Sequence, residues 1–377
     1  MAESQTRRVL VVGGGITGSV LSLALAQKGV QVVLAEIRER WTGVGHGITL
    51  QGNALRAFHA VGVFDQIAQR GFAFDKLRMR TADGHVIMEI DTPPMGGTQV
   101  PPTMGALRAD VADILAREVV AAGVDVRLGT TVTAVRDDGN AVTATLSDGS
   151  VETFDLLVGA DGIRSKVRGM IGIDAEPATV GMGIWRVVAT RPAAMDCSEL
   201  YYGGPKYKAG YTPISDDLCY AFLLEGNLDR SYVGEHPNGA LFKEHGQGYG
   251  GTWGEVRDSV ADDAMVNYQY IEAILVGEPW YRGRSIVIGD AAHACPPLIA
   301  QGAAMCAEDA VVLAEMLTSG DGVDEVLEKF MQRRYPRVKM VLDNSLQLAE
   351  WEIHPETPGA DPGRVMGQTL HALTAPA

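Results

Sequence analysis

The residues best suited to chemistry lie near the start of the chain. Gly13-Gly14-Gly15-Ile16-Thr17-Gly18 follows the apolar run Arg8-Val9-Leu10-Val11-Val12. Such a run suits a buried parallel strand. Gly13 permits the tight turn after it, Gly15 lets the backbone approach a pyrophosphate, and Gly18 lets the next helix pack close to the strand. That helix carries Ile16 and Thr17 in its first turn and stops at Gly29. Its free N–H groups and positive dipole end suit a phosphate. A second apolar strand, residues 30–34, delivers Glu36. An acid about twenty residues past the glycines suits a pair of ribose hydroxyls, because a carboxylate accepts two hydrogen bonds. A ligand-free glycine turn would need none of this context.

Gly159-Ala160-Asp161-Gly162 and Gly289-Asp290-Ala291-Ala292-His293 each end an apolar strand in an aspartate beside glycine. A polar cofactor chain can be held at such a place. One motif is weak evidence, but the ordered set of three points to a flavin enzyme. Gly246-Gln247-Gly248-Tyr249-Gly250-Gly251 also spells the dinucleotide fingerprint. It follows a helical run, residues 240–245, and no acid-ended strand comes after it. It reads as a flexible loop, so a second preformed dinucleotide site is not expected.

The elements that hold these motifs predict an α/β fold. A Rossmann-like parallel sheet is interrupted by a mostly antiparallel β region. Residues 41–50 form a glycine-rich loop, residues 53–60 a helix, and residues 77–79 and 86–90 a hairpin. Leu107, Val111, Ile114, Leu115 and Val119 mark one face of a helix. Residues 132–135, 142–146 and 152–154 predict a small antiparallel sheet, and strands dominate residues 184–274. Helices follow over 302–317 and 323–346, with Pro336 expected to kink or break the second. The expected division is a discontinuous FAD-binding domain (1–72, 103–178 and 280–347), a substrate-binding domain (73–102 and 179–279) and an irregular tail (348–377).

Bulk properties narrow the function. The chain has 377 residues, is 46% hydrophobic and carries a formal charge of −15. With no basic block, nucleic acid and anionic membranes are not expected partners. No apolar run approaches the ~18 residues of a membrane span, and the N-terminus lacks a signal-peptide pattern. Cys197, Cys219, Cys295 and Cys306 have neither CxxC nor zinc spacing, and the histidines form no ligand pattern, so no metal is expected. Free thiols suit a cytoplasmic location. A homodimer is left open.

These residues resemble the single-component flavoprotein aromatic hydroxylases, the p-hydroxybenzoate hydroxylase family, over roughly residues 7–345. The resemblance implies FAD as cofactor and NADH or NADPH as transient donor. The reaction implied is hydroxylation of a small aromatic by O2 through a flavin C4a-hydroperoxide. It assigns the first glycine motif and Glu36 to FAD adenosine, Arg108 to the phosphate and ribityl region, and Val132 to a backbone contact with adenine. Asp161 belongs to a motif shared by FAD and the nicotinamide donor, and Asp290 to the ribityl chain; His293 is structural. The segment Ala300-Gln301-Gly302-Ala303 replaces the usual Gly-Gln-Gly, in a version similar to oxygenases of hydroxypyridine carboxylates. The helix beginning at Gly302 would stabilise negative charge on the flavin.

The same resemblance implies a substrate pocket. It places His46 and Thr49 near the ring system, Arg186 and Lys208 against an acidic or phenolate-like substrate, Tyr211 and Tyr220 as orienting groups, and Pro297 in the wall. Plainer roles stay open: His46 as a backbone-satisfied loop residue, the tyrosines as core, Arg186 as a surface ion pair. A lysine at position 208, where the pattern has arginine, lacks the bidentate fork for a carboxylate. The alternatives are a dehydrogenase acting on a non-aromatic substrate, an oxygenase of polycyclic natural products, and a non-catalytic nucleotide-binding scaffold.

Overall fold

Strand Arg8–Val12 is the hub of the molecule, with four of its five residues buried. It lies between Gln31–Glu36 and Leu156–Gly159, parallel to both. Asp125–Leu128 and Ser285–Val287 extend this parallel sheet on either side, and Tyr281–Arg282 closes one edge in the antiparallel sense. The computed structural model describes residues 8–41, 45–226 and 229–377. Val9, Leu10 and Val11 are fully buried, contributing about 1.5–3 kcal/mol each. Helix Ile16–Gln27 packs against helix Gly302–Leu317, which has the bounds its sequence predicts.

A seven-stranded sheet forms the other large layer. Its strand order is Asn267–Ala273, Ala178–Thr190, Leu218–Gly226, Lys208–Pro213, Ser198–Tyr202, Lys76–Thr81, Val86–Asp91. The early hairpin thus shares a sheet with strands from residues 178–273. Successive side chains face opposite sides. One side is packed by three short helices, Arg230–Val233, Gly239–His245 and Gly251–Ser259, and the other meets strands Gly47–Gln51 and Thr103–Leu107 and helix Val323–Ile353. Two smaller sheets complete the fold. One is Val151–Phe154, Val142–Leu146 and Val132–Asp137; the other is Gly47–Gln51, Thr103–Leu107 and Phe72–Phe74.

Three sequence expectations change. Helix Val323–Ile353 continues unbroken through Pro336. Proline removes one N–H, but Phe330, Met331, Val338 and Val341 are buried on both sides of it, and this packing outweighs the local cost. The tail is not irregular: it holds helix Pro362–Ala372. Pro362 occupies the first turn, where its missing N–H costs nothing, and the Asp361 carboxylate accepts the Arg364 N–H at 2.9 Å. The predicted glycine loop gives way at Gly47 to a strand, Gly47–Gln51, paired with Thr103–Leu107. Residues 42–44 of that loop lie outside the described residues.

Beneath the parallel sheet lies a buried ionic cluster. Arg334, fully buried, donates to Asp309 at 2.7 Å and to Glu308 at 2.9 Å. Asp309 also accepts from His293 at 2.5 Å and from the Gly289 N–H at 3.0 Å. Burial alone would raise the Asp309 pKa; His293 and Arg334 outweigh it and bring it down to about 2.

Candidate active site

The first glycine turn is shaped by close approaches of backbone. Gly13 has φ +106°, and a Cβ there would sit 2.4 Å from the Ala160 carbonyl oxygen. A Cβ on Gly18 would sit 1.9 Å from the Gly13 carbonyl oxygen. Gly15 differs: no atom lies within 4 Å of its Cβ position. It precedes Ile16 at the start of a helix that has no side-chain cap. An open, donor-rich space therefore faces Gly15. The Glu36 carboxylate accepts the Gly14 N–H at 2.6 Å, and Thr17 packs against Gly289. Asp161 caps helix Lys166–Met170, accepting from Ser165 and from the Lys166 and Val167 N–H groups. Asp290 is exposed beside Gly289 and accepts weakly from Cys306. Val132 is buried at the start of its strand.

A cavity of about 300 Å³ lies against the seven-stranded sheet. On one side lie Arg108, Cys295, Pro297, Ala300, Gly302 and Ala303. Helix Gly302–Leu317 begins there with no side-chain cap. Ala300 just before it has φ +53°, a left-handed conformation costly for a residue with a side chain. Arg108 opens onto the cavity and forms no ion pair among the described residues. Burial and the neighbouring Arg186 lower its pKa, although Asp290 acts the other way. Burial also pushes the Cys295 thiol up to about 12.

On the sheet side the register places side chains in three rows. Tyr220 and Thr212 are paired in one row, Arg186, Phe222 and Gly210 in the next, and Ile184, Leu224 and Lys208 in the last. The first and last rows are four residues apart, about 13 Å. His46 covers the first row, its ring stacked on Tyr220 at 5.6 Å. Its Nδ1 lies 2.9 Å from the Gly47 carbonyl. This geometry assigns the proton to Nδ1 and leaves Nε2 with a lone pair. Burial, with Arg186 second, lowers the His46 pKa to about 4. The imidazole is therefore neutral at pH 7.

Comparison with known proteins identifies the chemistry. Residues 6–214 and 269–345 match the FAD binding domain family. The chain belongs to that family. It is 30% identical over 359 residues to the 2-heptyl-3-hydroxy-4(1H)-quinolone synthase of Pseudomonas aeruginosa (strain UCBPP-PA14), covering 91% of this chain and 90% of that one. It is 30% identical to the 3-hydroxybenzoate 6-hydroxylase of Klebsiella oxytoca, covering 85% and 82%. A crystal structure of a mutant 2-methyl-3-hydroxypyridine-5-carboxylic acid oxygenase shares the fold, with TM-score 0.81, 24% identity and coverage of 97% and 96%. The protein is an FAD-dependent aromatic monooxygenase, with NAD(P)H the electron donor typical of the family.

The monooxygenase has the features FAD needs. The open space at Gly15, the uncapped helix starts at Ile16 and Gly302 and the unpaired Arg108 all offer positive or donor groups to an anionic cofactor. Ala300, Gly302 and Ala303 reach the cavity, but the Gln301 side chain does not. It is fully buried, with its oxygen accepting from Asn53 at 3.0 Å. Any role of Gln301 at the cofactor is therefore one of backbone.

The expected substrate residues divide. His46, Thr49, Arg186, Lys208, Tyr220 and Pro297 all line the cavity. Arg186 donates to Gln269 at 3.0 Å and has no carboxylate partner among the described residues. Tyr211 is a correction. It lies on the far face of the sheet, where its hydroxyl donates to Glu199 and lies 3.2 Å from Tyr201. Lys208, Gly210 and Thr212 occupy the cavity face, so alternation forces Tyr211 away. Lys208 does reach the cavity, but its ammonium is already paired with Glu352. Burial opposes its charge, yet Glu352 prevails and raises its pKa. Sequence reasoning missed Thr212, which alternation from Lys208 would have found. It also missed Met366 and Leu370, whose spacing of four marks one helix face.

Proposed function

We propose that this monooxygenase hydroxylates a small aromatic ring that already bears a hydroxyl, of the phenol or hydroxypyridine type. The observation that carries the reading is the pairing of a neutral His46 with an uncompensated Arg186 in one cavity beside the start of helix Gly302–Leu317. When bound, FAD reduced by NAD(P)H supplies the oxygen-activating chemistry. The protein's own part is to hold the ring and manage one proton.

A ring hydroxyl in the first row donates to His46 Nε2, which has a lone pair to receive it. Arg186 favours negative charge on the same oxygen, making the ring more electron-rich. Tyr220 stacks on His46 and fixes its plane. Phe222, Leu224 and Ile184 bound the ring with apolar surface and keep water away. Gly210 leaves space for Phe222, whose ring lies 2.4 Å from the position a Cβ would take. The donors at Gly302 and Ala303 face cofactor charge from the opposite wall.

The test is a panel of hydroxylated aromatics scored for stimulated NAD(P)H oxidation, followed by turnover under labelled O2. One labelled oxygen atom in the product supports the reading. Product without label turns it towards dehydrogenation, and silence across the panel refutes it.

A further inference from the structure

The far end of the cavity does not match a clamp for acids. Lys208, the cation there, is buried in the row formed with Ile184 and Leu224. Its ammonium donates to Glu352, which comes from the last turn of helix Val323–Ile353, 144 residues away in sequence. The second carboxylate oxygen of Glu352 is buried and has no hydrogen-bond partner. The pair thus carries no net charge and retains an unused acceptor. Around it the wall is apolar: Leu298, Ile299, Met366 and Leu370 join Ile184 and Leu224. The uncompensated cations, Arg186 and Arg108, lie nearer the hydroxyl end.

We infer that Glu352 is a specificity-determining residue that neutralises Lys208, so that the enzyme accepts a neutral aromatic with an apolar extension and rejects one bearing a carboxylate at that end. The inference rests on the aromatic reading above and names the substrate class within it. A ligand carboxylate reaching Lys208 must compete with Glu352, and a buried carboxylate left without its cation is strongly disfavoured. A neutral extension displaces nothing.

The experiment uses the FAD-loaded oxidised enzyme and two matched probes, 3-hydroxybenzoate and its methyl ester, titrated by calorimetry without turnover. Wild type should bind the ester about tenfold or more tightly than the acid, the scale of one charge-assisted hydrogen bond. Glu352→Gln should tighten the acid about tenfold and change the ester by less than about threefold. Adding Lys208→Met should abolish the gain. FAD content and melting temperature establish that each variant is folded. If Glu352→Gln does not fold, the wild-type ratio decides alone. A wild type that prefers the acid overturns the inference. So does a folded Glu352→Gln in which acid affinity is unchanged or undetectable. Binding is read without oxygen chemistry, so failure here is distinct from failure of the labelled-oxygen test.

Discussion

The two walls of the cavity are built from different materials. The cofactor wall is largely backbone, with an uncapped helix start at Gly302 and a strained residue at Ala300, and the glycine turn elsewhere in the cofactor region is backbone too. The substrate wall is almost entirely side chain, with Arg186, Tyr220, Lys208 and Met366 drawn from four separate elements. Backbone recognition depends on what is missing at a position, so it tolerates almost no addition. Side-chain recognition depends on what is present and can be retuned by exchange. One wall thus fixes the cofactor while the other is free to change substrate.

The largest effect should come from beneath the cofactor wall. Arg334→Met strands Asp309 and Glu308 without their buried cation and should cost about 3–5 kcal/mol, read by chemical denaturation. The same cluster sets the acid limit. Asp309 has its folded pKa lowered to about 2, so its stabilisation is complete above its ordinary carboxylate value of 3.8 and is lost as pH falls towards 2. Asp309→Asn should flatten that limb of the stability profile. A steep limb in the variant would show that other carboxylates control acid unfolding.

Two glycines only three residues apart should behave in opposite ways. Gly18→Ala meets the Gly13 carbonyl and should destabilise the fold by about 1–3 kcal/mol. Gly15→Ala enters open space and should alter stability by less than about 0.5 kcal/mol. It should still weaken FAD about tenfold, because its methyl occupies the place of the ligand. Equal FAD affinity in wild type and Gly15→Ala would break the assignment of that space to the cofactor.

On the substrate wall, Arg186→Ala should raise the substrate dissociation constant about tenfold while FAD content stays at the wild-type level. Loss of FAD in this variant would erase the distinction between the walls. The smallest effect expected is one of pH. With His46 lowered to about 4, its imidazole is neutral above about pH 5. Substrate affinity should then be flat from about pH 5 to 8, provided the ligand does not itself titrate there, and should weaken as His46 gains a proton below that. A transition near pH 6.5 would mean that His46 is open to water.

This division also explains what could be read from sequence. A turn that needs Gly13, Gly15 and Gly18 within six positions leaves a local signature, and so does a helix starting at Gly302. Trp185 and Arg186 lie on opposite faces of their strand, Trp185 in the core and Arg186 at the cavity, as period-two alternation requires. Applied to Lys208, the same rule sends Tyr211 to the far face. The link between Lys208 and Glu352 leaves no local trace, because it spans 144 residues and joins a strand to a helix end. Helix Pro362–Ala372 was hidden by Pro358, Gly359 and Pro362, which announce the turn before it more loudly than Met366 and Leu370 announce the helix.

Cys295 shares the cavity with Arg108 and Gly302, and burial holds its thiol up to about 12. Sulfur is the most oxidisable atom in the protein, and its susceptibility follows its thiolate fraction. A thiolate there would be spent by stray peroxide whenever reduced cofactor meets oxygen without substrate. Kept protonated, Cys295 lines the cavity as a thiol, the less readily oxidised form.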